Sequence, residues 1–207
     1  MKLYSTVRKQ ASAEQVIERS RFIAYVSPAE TKEEADAFIA SVRKKHRDAT
    51  HNVPVMVLGD KFQVQWGSDD GEPQGTSGAP IVQMLVNQGI TNVAVVVTRY
   101  FGGIKLGTGG LVRAYTSSAK LGLEAAGICD VEEMAVFTYD IDYTFYTKLQ
   151  NMAASGAFQI LDTSYTDVVR VKISCVPEES DGLETSITNL TGGKALLISK
   201  EVEICAI

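Results

Sequence analysis

The sequence VTRYFGGIKLGTGGLVRAY, residues 97–115, contains five glycines between Gly102 and Gly110. An apolar run, Val93 to Val97, precedes it and predicts a strand, and the pattern after it predicts a helix from Leu111. Glycines at this density let backbone N–H groups approach a bound group closely. Loops of this kind carry function more often than they carry fold. We therefore predict a strand, a functional loop and a helix in succession.

Three cations bracket these glycines, and the last glycines lead directly into a helix whose free N–H groups favour an anion. We interpret the segment as a phosphate site for RNA or a nucleotide, formed by Arg99, Gly102, Gly103, Lys105, Gly107, Gly109, Gly110 and Arg113. In the alternative, the glycines permit tight strand-to-helix packing, and Arg99 or Arg113 pairs with an acidic residue. The segment is neither a Walker A motif nor a dinucleotide fingerprint, so we do not expect ATP hydrolysis.

A second glycine-rich loop, SDDGEPQGTSGAP at residues 68–80, carries three carboxylates. They are hard oxygen ligands suited to magnesium, but Asp70-Gly71 also favours an ordinary turn whose carboxylates cap neighbouring N–H groups. We favour the turn and leave a metal open. His51 precedes a strand that could bring it towards the glycine-rich loops, and no serine has the context of a nucleophile. We assign no catalytic residue and no cofactor, and define a candidate pocket of His51, Asp69, Asp70 and Glu72.

The pattern around these loops predicts an α+β protein of two domains, residues 1–128 and 129–207. Thirteen of the 17 glycines lie between Gly59 and Gly127, and the composition changes there. The second part reads β-α-β-β-α-β, the ferredoxin-like order. In the first part we predict one or two strands over Glu14–Val26, a helix from Thr31 to about Lys45, a hairpin of Val53–Leu58 and Phe62–Trp66, and a helix over Ile81–Val86 capped by Thr76 or Ser77.

Charge divides the chain in the same way. The net charge is −5, but residues 1–130 carry an excess of two basic residues and residues 131–207 an excess of seven acidic ones. Nucleic acid is therefore expected to bind the first part, and the acidic second part is a candidate surface for a basic protein partner. The first ten residues lack the apolar core of a signal peptide, and no apolar run is long enough to span a membrane. The three cysteines are odd in number and lack the spacing of a disulfide framework or a zinc site. We expect a cytoplasmic protein with no membrane contact.

Taken together, these stretches resemble the IMPACT family in its bacterial, two-domain YigZ form. The resemblance is carried by SRFIA at 20–24, His46, DATHN at 48–52, and the two glycine-rich loops at 68–80 and 97–115. Two positions depart from the family pattern. Val53 stands where a cysteine is common, which argues against a catalytic thiol, and Trp66 stands where a more polar residue is usual.

The resemblance implies a βαβ-type first domain, like that of a small-subunit ribosomal protein and domain IV of elongation factor G. It implies a second domain like the ferredoxin-like domain V of that factor. Eukaryotic members regulate translation, so we expect a translation-associated, non-catalytic protein that binds RNA or the ribosome through a basic groove on the first domain. The alternatives are an enzyme acting on a phosphorylated small molecule or nucleotide, and a protein-interaction module. A long basic groove would favour RNA, and a small cavity lined by acidic residues and Lys105 would favour an enzyme.

Overall fold

The computed structural model describes residues 2–206 and the side chains up to residue 204. The protein is a mixed α+β chain that divides into two compact units, residues 3–131 and residues 132–205. No helix in residues 2–206 is long and apolar enough to cross a membrane. The first unit contains β1 (Lys2–Val7), β2 (Ala11–Ile17), β3 (Ser20–Pro28), α1 (Lys32–Lys45), β4 (His51–Leu58), β5 (Val64–Gly67), α2 (Gly78–Asn87), β6 (Val93–Tyr100) and α3 (Gly107–Ala126).

The sheet of the first unit has the strand order β2-β3-β6-β4-β5, with every neighbouring pair antiparallel. β3 and β4 both pair with β6, so they run in the same direction, and α1 connects them as a crossover. Helices cover both faces: α1 packs on Ala94 and Val96, while α2 and α3 pack on Val95 and Val97. Because both faces of β6 are buried, its sequence is a continuous apolar run rather than an alternating one.

Local signals account for several element boundaries. The segment predicted as one or two strands is a hairpin, β2 and β3, whose turn residues Glu18 and Arg19 both have positive φ, as tight hairpin turns require. Thr31 caps α1 as predicted. Its side chain accepts a hydrogen bond from the Glu34 N–H, and the Glu34 carboxylate accepts one from the Thr31 N–H. This reciprocal capping box satisfies two of the donors that a helix start leaves open.

Two helices begin earlier than the sequence pattern indicates. α3 begins at Gly107, not Leu111, so Gly107 to Gly110 form its first turn rather than a loop before it. α2 begins at Gly78, not Ile81, and its N-cap residue Ser77 makes no side-chain cap. Glycine has low intrinsic helix propensity, which is why the local pattern placed these residues outside the helices.

The second unit has the predicted β-α-β-β-α-β order. Its elements are β7 (Ile128–Ile141), α4 (Tyr143–Ala154), β8 (Gln159–Tyr165), β9 (Val169–Cys175), α5 (Ser180–Thr191) and β10 (Leu196–Ala206). The sheet that contains β7 has five strands: β1, β7, β9 and β8 are neighbours in that order, and β10 also pairs with β7. Phe137 and Ile173 of the sheet pack against Leu149 of α4 and Ile187 of α5. The predicted domain limit at residues 128–129 lies at the start of β7 and stays a prediction.

Candidate functional site

Asp69 caps α2 from nine residues upstream. Its Oδ1 accepts hydrogen bonds from the Ser77 backbone N–H at 3.1 Å, the Ser77 hydroxyl at 2.7 Å and the Gly78 N–H at 2.9 Å, and its Oδ2 accepts one from the Gly75 N–H at 2.7 Å. Burial by itself would raise the pKa of Asp69, but these hydrogen bonds together lower it. The carboxylate is therefore ionised and fully occupied in holding the acidic loop on the helix end.

Asp70 ties the same loop to β4. Its Oδ2 accepts from the Asn52 N–H at 2.6 Å, its Oδ1 pairs with Arg43 at 3.0 Å, and its carbonyl oxygen lies 2.8 Å from His51 Nδ1. Asp70 has positive φ, as has the following Gly71. These contacts match the turn interpretation of the loop. Among the residues that the structure describes, no three His, Cys, Asp or Glu side chains form a group suited to a metal.

Glu72 is the third carboxylate, and it is buried in an ion pair. Its Oε1 lies 2.7 Å from Arg99 Nη1 and accepts a hydrogen bond from the Tyr115 hydroxyl at 2.7 Å. The Glu72 and Arg99 side chains are only 4% and 5% exposed. Burial and the hydrogen bond to Glu72 raise the pKa of Tyr115, so the phenol remains a donor. Arg99 thus makes the acidic-loop contact that the alternative interpretation of the sequence required, and His51 Nε2 lies 3.7 Å from the same oxygen.

Aromatic rings enclose the Arg99 guanidinium. Its central carbon lies 5.3 Å from the Phe22 ring centre and 5.4 Å from that of Phe101, and its Nη2 donates to the Ser20 hydroxyl at 3.2 Å. The remaining nitrogen, Nε, is buried without a hydrogen-bond partner. It is the one such side-chain atom found in the described part of the chain. A buried donor left unpaired costs about 1–3 kcal/mol.

A cavity of about 350 Å³ lies beside this arginine, and we call it the Arg99 cavity. Its walls are Glu72, Pro73, Arg99, Phe101, Lys105, Leu106, Gly107, Thr108 and Leu111. It therefore combines a buried guanidinium, an apolar wall, the N-terminus of α3 and Lys105. Lys105 is exposed and makes no ion pair with any residue in the described range. Since Glu72 neutralises Arg99, the lysine and the helix end supply the net positive potential of the cavity.

The three cations predicted as one phosphate site do not share one cavity. Arg99 and Lys105 line the Arg99 cavity, whereas Arg113 lies on the surface of α3 and lines two other cavities. The glycines also differ in role. A Cβ on Gly102 would lie 2.0 Å from the Arg19 backbone, so this glycine permits two chain segments to pack closely. Gly103 and Gly107 have positive φ and open space around them, and Gly109 and Gly110 belong to the first turn of α3.

The sequence pattern gave no role to Tyr115. Tyr115 is a helix residue whose hydroxyl reaches a loop 43 positions away in the chain, and no local pattern signals that contact.

His46 is a structural group, because its two ring nitrogens lie 2.7 Å and 2.9 Å from the hydroxyls of Tyr25 and Tyr100. Burial, with the nearby charge of Lys45, lowers the pKa of His46.

Both halves of the chain match known family models. The model described as the Impact N-terminal domain covers residues 18–123, and so includes both glycine-rich loops and every wall of the Arg99 cavity. The chain belongs to the IMPACT family. A second model, a domain of unknown function named DUF1949, covers residues 140–194 of the second unit. The family resemblance inferred from the motifs is thereby confirmed.

Relatives of the IMPACT family extend over nearly the whole chain. The IMPACT family member YvyE of Bacillus subtilis is 38% identical over 93% of this chain and 88% of its own length. Escherichia coli YigZ is 31% identical over 89% and 92%. A Thermus thermophilus member is 46% identical over 86% and 97%. A solved structure described as a crystal structure of an hypothetical protein is 29% identical, covers 96% of this chain and 97% of its own, and superposes with a TM-score of 0.58.

Proposed function

We propose that this IMPACT family protein is a cytoplasmic, translation-associated protein that binds single-stranded RNA through its first unit. In this proposal one nucleotide enters the Arg99 cavity, with its phosphate at the N-terminus of α3 beside Lys105 and its base against Phe101. The carrying observation is the Arg99 guanidinium, which lines the cavity together with Lys105 and the first residues of α3.

The start of α3 suits a phosphate because no side chain occupies it. Thr31 caps α1 and Asp69 caps α2, whereas α3 begins after Leu106 without a side-chain cap. An uncapped helix start has free N–H groups and the positive end of the helix dipole, which together favour an anion. The open space around Gly107 leaves room for that anion to approach the backbone.

The apolar part of the cavity suits the remainder of a nucleotide. Pro73, Leu106 and Leu111 form part of its wall, and Phe101 is 47% exposed beside them. Stacking of a base on an aromatic side chain contributes about 1–3 kcal/mol and tolerates any base. We therefore propose binding with little sequence preference.

The association with translation rests on fold analogy. In the first unit, β3, α1 and β4 form a crossover with β6 inserted between the two strands. In the second, β7, α4 and β8 form one with β9 inserted. Such split βαβ units are consistent with the proposed likeness to a ribosomal protein domain and to domains IV and V of elongation factor G. Fold alone does not give function, and the proposal therefore depends on the cavity.

An enzyme acting on a phosphorylated small molecule is the second candidate, because the cavity is compact and contains Glu72 with His51 close behind it. We rank it lower because Glu72 is already committed as the counter-ion of Arg99 and as the acceptor of Tyr115. A carboxylate held by two donors is a poor general base.

The test uses the variant Thr108→Asp with Thr108→Asn as its matched control. Thr108 is exposed in the first turn of α3. Aspartate there places a negative charge where the phosphate is proposed to sit and stabilises the helix start by about 0.3–1 kcal/mol. Asparagine has nearly the same shape without the charge. We expect Thr108→Asp to abolish binding of 5′-phosphorylated oligouridine without lowering the melting temperature, and Thr108→Asn to retain binding.

Equal binding by Thr108→Asp and Thr108→Asn would show that the phosphate does not bind at the start of α3. The same titrations are made with uridine monophosphate and with inorganic phosphate. Each mixture is then assayed for phosphate that has been released or transferred. Turnover of a mononucleotide that depends on Glu72 would establish the enzyme instead.

A further inference from the structure

Two more cavities lie along α3, and the first of them shares Lys105 and Leu106 with the Arg99 cavity. The first, of about 440 Å³, is lined by Ile17, Glu18, Ile104, Lys105, Leu106, Gly110, Arg113, Ala114 and Ser117. The second, of about 770 Å³ between α2 and α3, is lined by Pro80, Gln83, Met84, Asn87, Gln88, Val112, Arg113, Thr116, Ser117 and Lys120. We call the three cavities together the α3 track.

Each pair of neighbouring cavities in the track shares a cation. Lys105 lines both the Arg99 cavity and the 440 Å³ cavity, and Arg113 lines both the 440 Å³ and the 770 Å³ cavities. Lys120 follows in the last cavity. A chain-like ligand that leaves one cavity for the next must therefore pass a positive charge each time.

The spacing along α3 places these groups on one side of the helix. Arg113, Ser117 and Lys120 are four and then three residues apart, the separation at which helix side chains are neighbours. From Thr108 to Lys120 the helix rises about 18 Å, which is several nucleotides of an extended strand rather than one. Lys105, Arg113 and Lys120 make no ion pair with any residue in the described range, so their charges are available to a ligand.

One carboxylate would repel an anion bound in the track. Glu18 and Arg113 both line the 440 Å³ cavity, and Glu72 in the Arg99 cavity is neutralised by Arg99. Among the described residues no acidic side chain lines the 770 Å³ cavity, whose amides from Gln83, Asn87 and Gln88 offer both donors and acceptors. Removal of the Glu18 charge should therefore strengthen the binding of a polyanion to the track.

We propose that the α3 track binds about four consecutive nucleotides of single-stranded RNA, with Arg113 and Lys120 contacting the phosphates that follow the nucleotide in the Arg99 cavity. This inference rests on the proposed function, since it extends the strand whose first nucleotide occupies that cavity. The phosphate contacts set the position of the strand, and the bases are held without strict sequence readout.

The experiment measures binding of 5′-phosphorylated oligouridines of one, two, four and six nucleotides to the full chain by calorimetry. Affinity is expected to rise up to four nucleotides and then to level off. The log–log salt slope for the tetramer should be steeper than that for the monophosphate by about 1.4, because two added contacts contribute about 0.7 each. Arg113→Gln and Lys120→Gln should each weaken tetramer binding and make its slope shallower by about 0.7, with no effect on the monophosphate.

Two further variants complete the design. Lys61→Gln removes an exposed cation of the first unit that lines none of the three cavities, and it should leave tetramer affinity unchanged. Glu18→Gln should tighten tetramer binding. Melting temperatures of all variants show that each is folded.

The outcomes separate the two proposals. If uridine monophosphate binds but affinity does not grow with length, or if Lys61→Gln weakens the tetramer as much as Arg113→Gln does, the track is overturned and the single-nucleotide site stands. If neither monophosphate nor oligomer binds, the proposed function itself fails. A duplex that binds as tightly as the single strand also overturns the track, because its cavities would then not be what receives the RNA.

Discussion

Replacement of Glu72 by glutamine tests the buried ion pair beneath the Arg99 cavity. The substitution preserves side-chain size, and its amide oxygen can still accept from Arg99 Nη1 and from the Tyr115 hydroxyl, each now 2.7 Å from Oε1. What disappears is the negative charge. Because both side chains are about 95% buried, the arginine is left in the interior without a counter-ion.

The expected loss follows from that burial. Removal of one partner from a buried ion pair costs about 3–5 kcal/mol, because the remaining charge is uncompensated. The Arg43–Asp70 pair offers a matched control in the same loop, since its N–O distance is 3.0 Å but its side chains are 44% and 31% exposed. Exposed pairs contribute about 0–1 kcal/mol. Glu72→Gln should therefore destabilise the first unit by at least about 2 kcal/mol more than Arg43→Gln does.

The assay is urea unfolding followed by the fluorescence of Trp66, the sole tryptophan of the chain. Trp66 lies in β5, so it reports on the first unit. A third variant, Arg99→Met combined with Glu72→Leu, removes both charges and should be less destabilised than Glu72→Gln, since no charge remains buried. If Glu72→Gln costs less than about 1 kcal/mol, no more than the exposed control, the pair does not stabilise the unit as its burial indicates and the reasoning is refuted.

Three further predictions concern the helix cap formed by Asp69 and two glycines. The lowered pKa of Asp69 means that its stabilisation is fully present above the unfolded-state value near 4 and is lost as pH falls through the folded-state value. The stabilities of wild type and Asp69→Asn should differ at pH 7 and begin to converge only as the pH falls below about 4; a constant difference would contradict the cap. Gly102→Ala should strongly destabilise the first unit, because its Cβ would meet the Arg19 backbone at 2.0 Å. Gly182→Ala, in α5 with open space around it, should instead stabilise the second unit by about 0.5–1 kcal/mol, as thermal unfolding of both variants will show.

The sequence alone determined those elements whose signals lie within a few residues. The capping box of Thr31 and Glu34 spans three positions, so it marks the start of α1 without knowledge of the fold. The apolar run of β6 and the order of strands and helices in the second unit are likewise local patterns. The glycine-rich stretch and the acidic loop were recognisable as a family pattern, which the family models confirm.

Only the tertiary structure decided what those loop residues do. Asp69 caps a helix that begins nine positions later, Arg99 pairs with Glu72 across 27 positions and contacts Ser20 across 79, and Tyr115 reaches Glu72 across 43. Nothing in a local pattern distinguishes an arginine that will be buried beside a carboxylate from one that will face solvent, as Arg113 does. The charges were visible in the sequence, but their pairing depends on which strands and helices the fold brings together, because electrostatic interactions are set by distance and burial rather than by position along the chain.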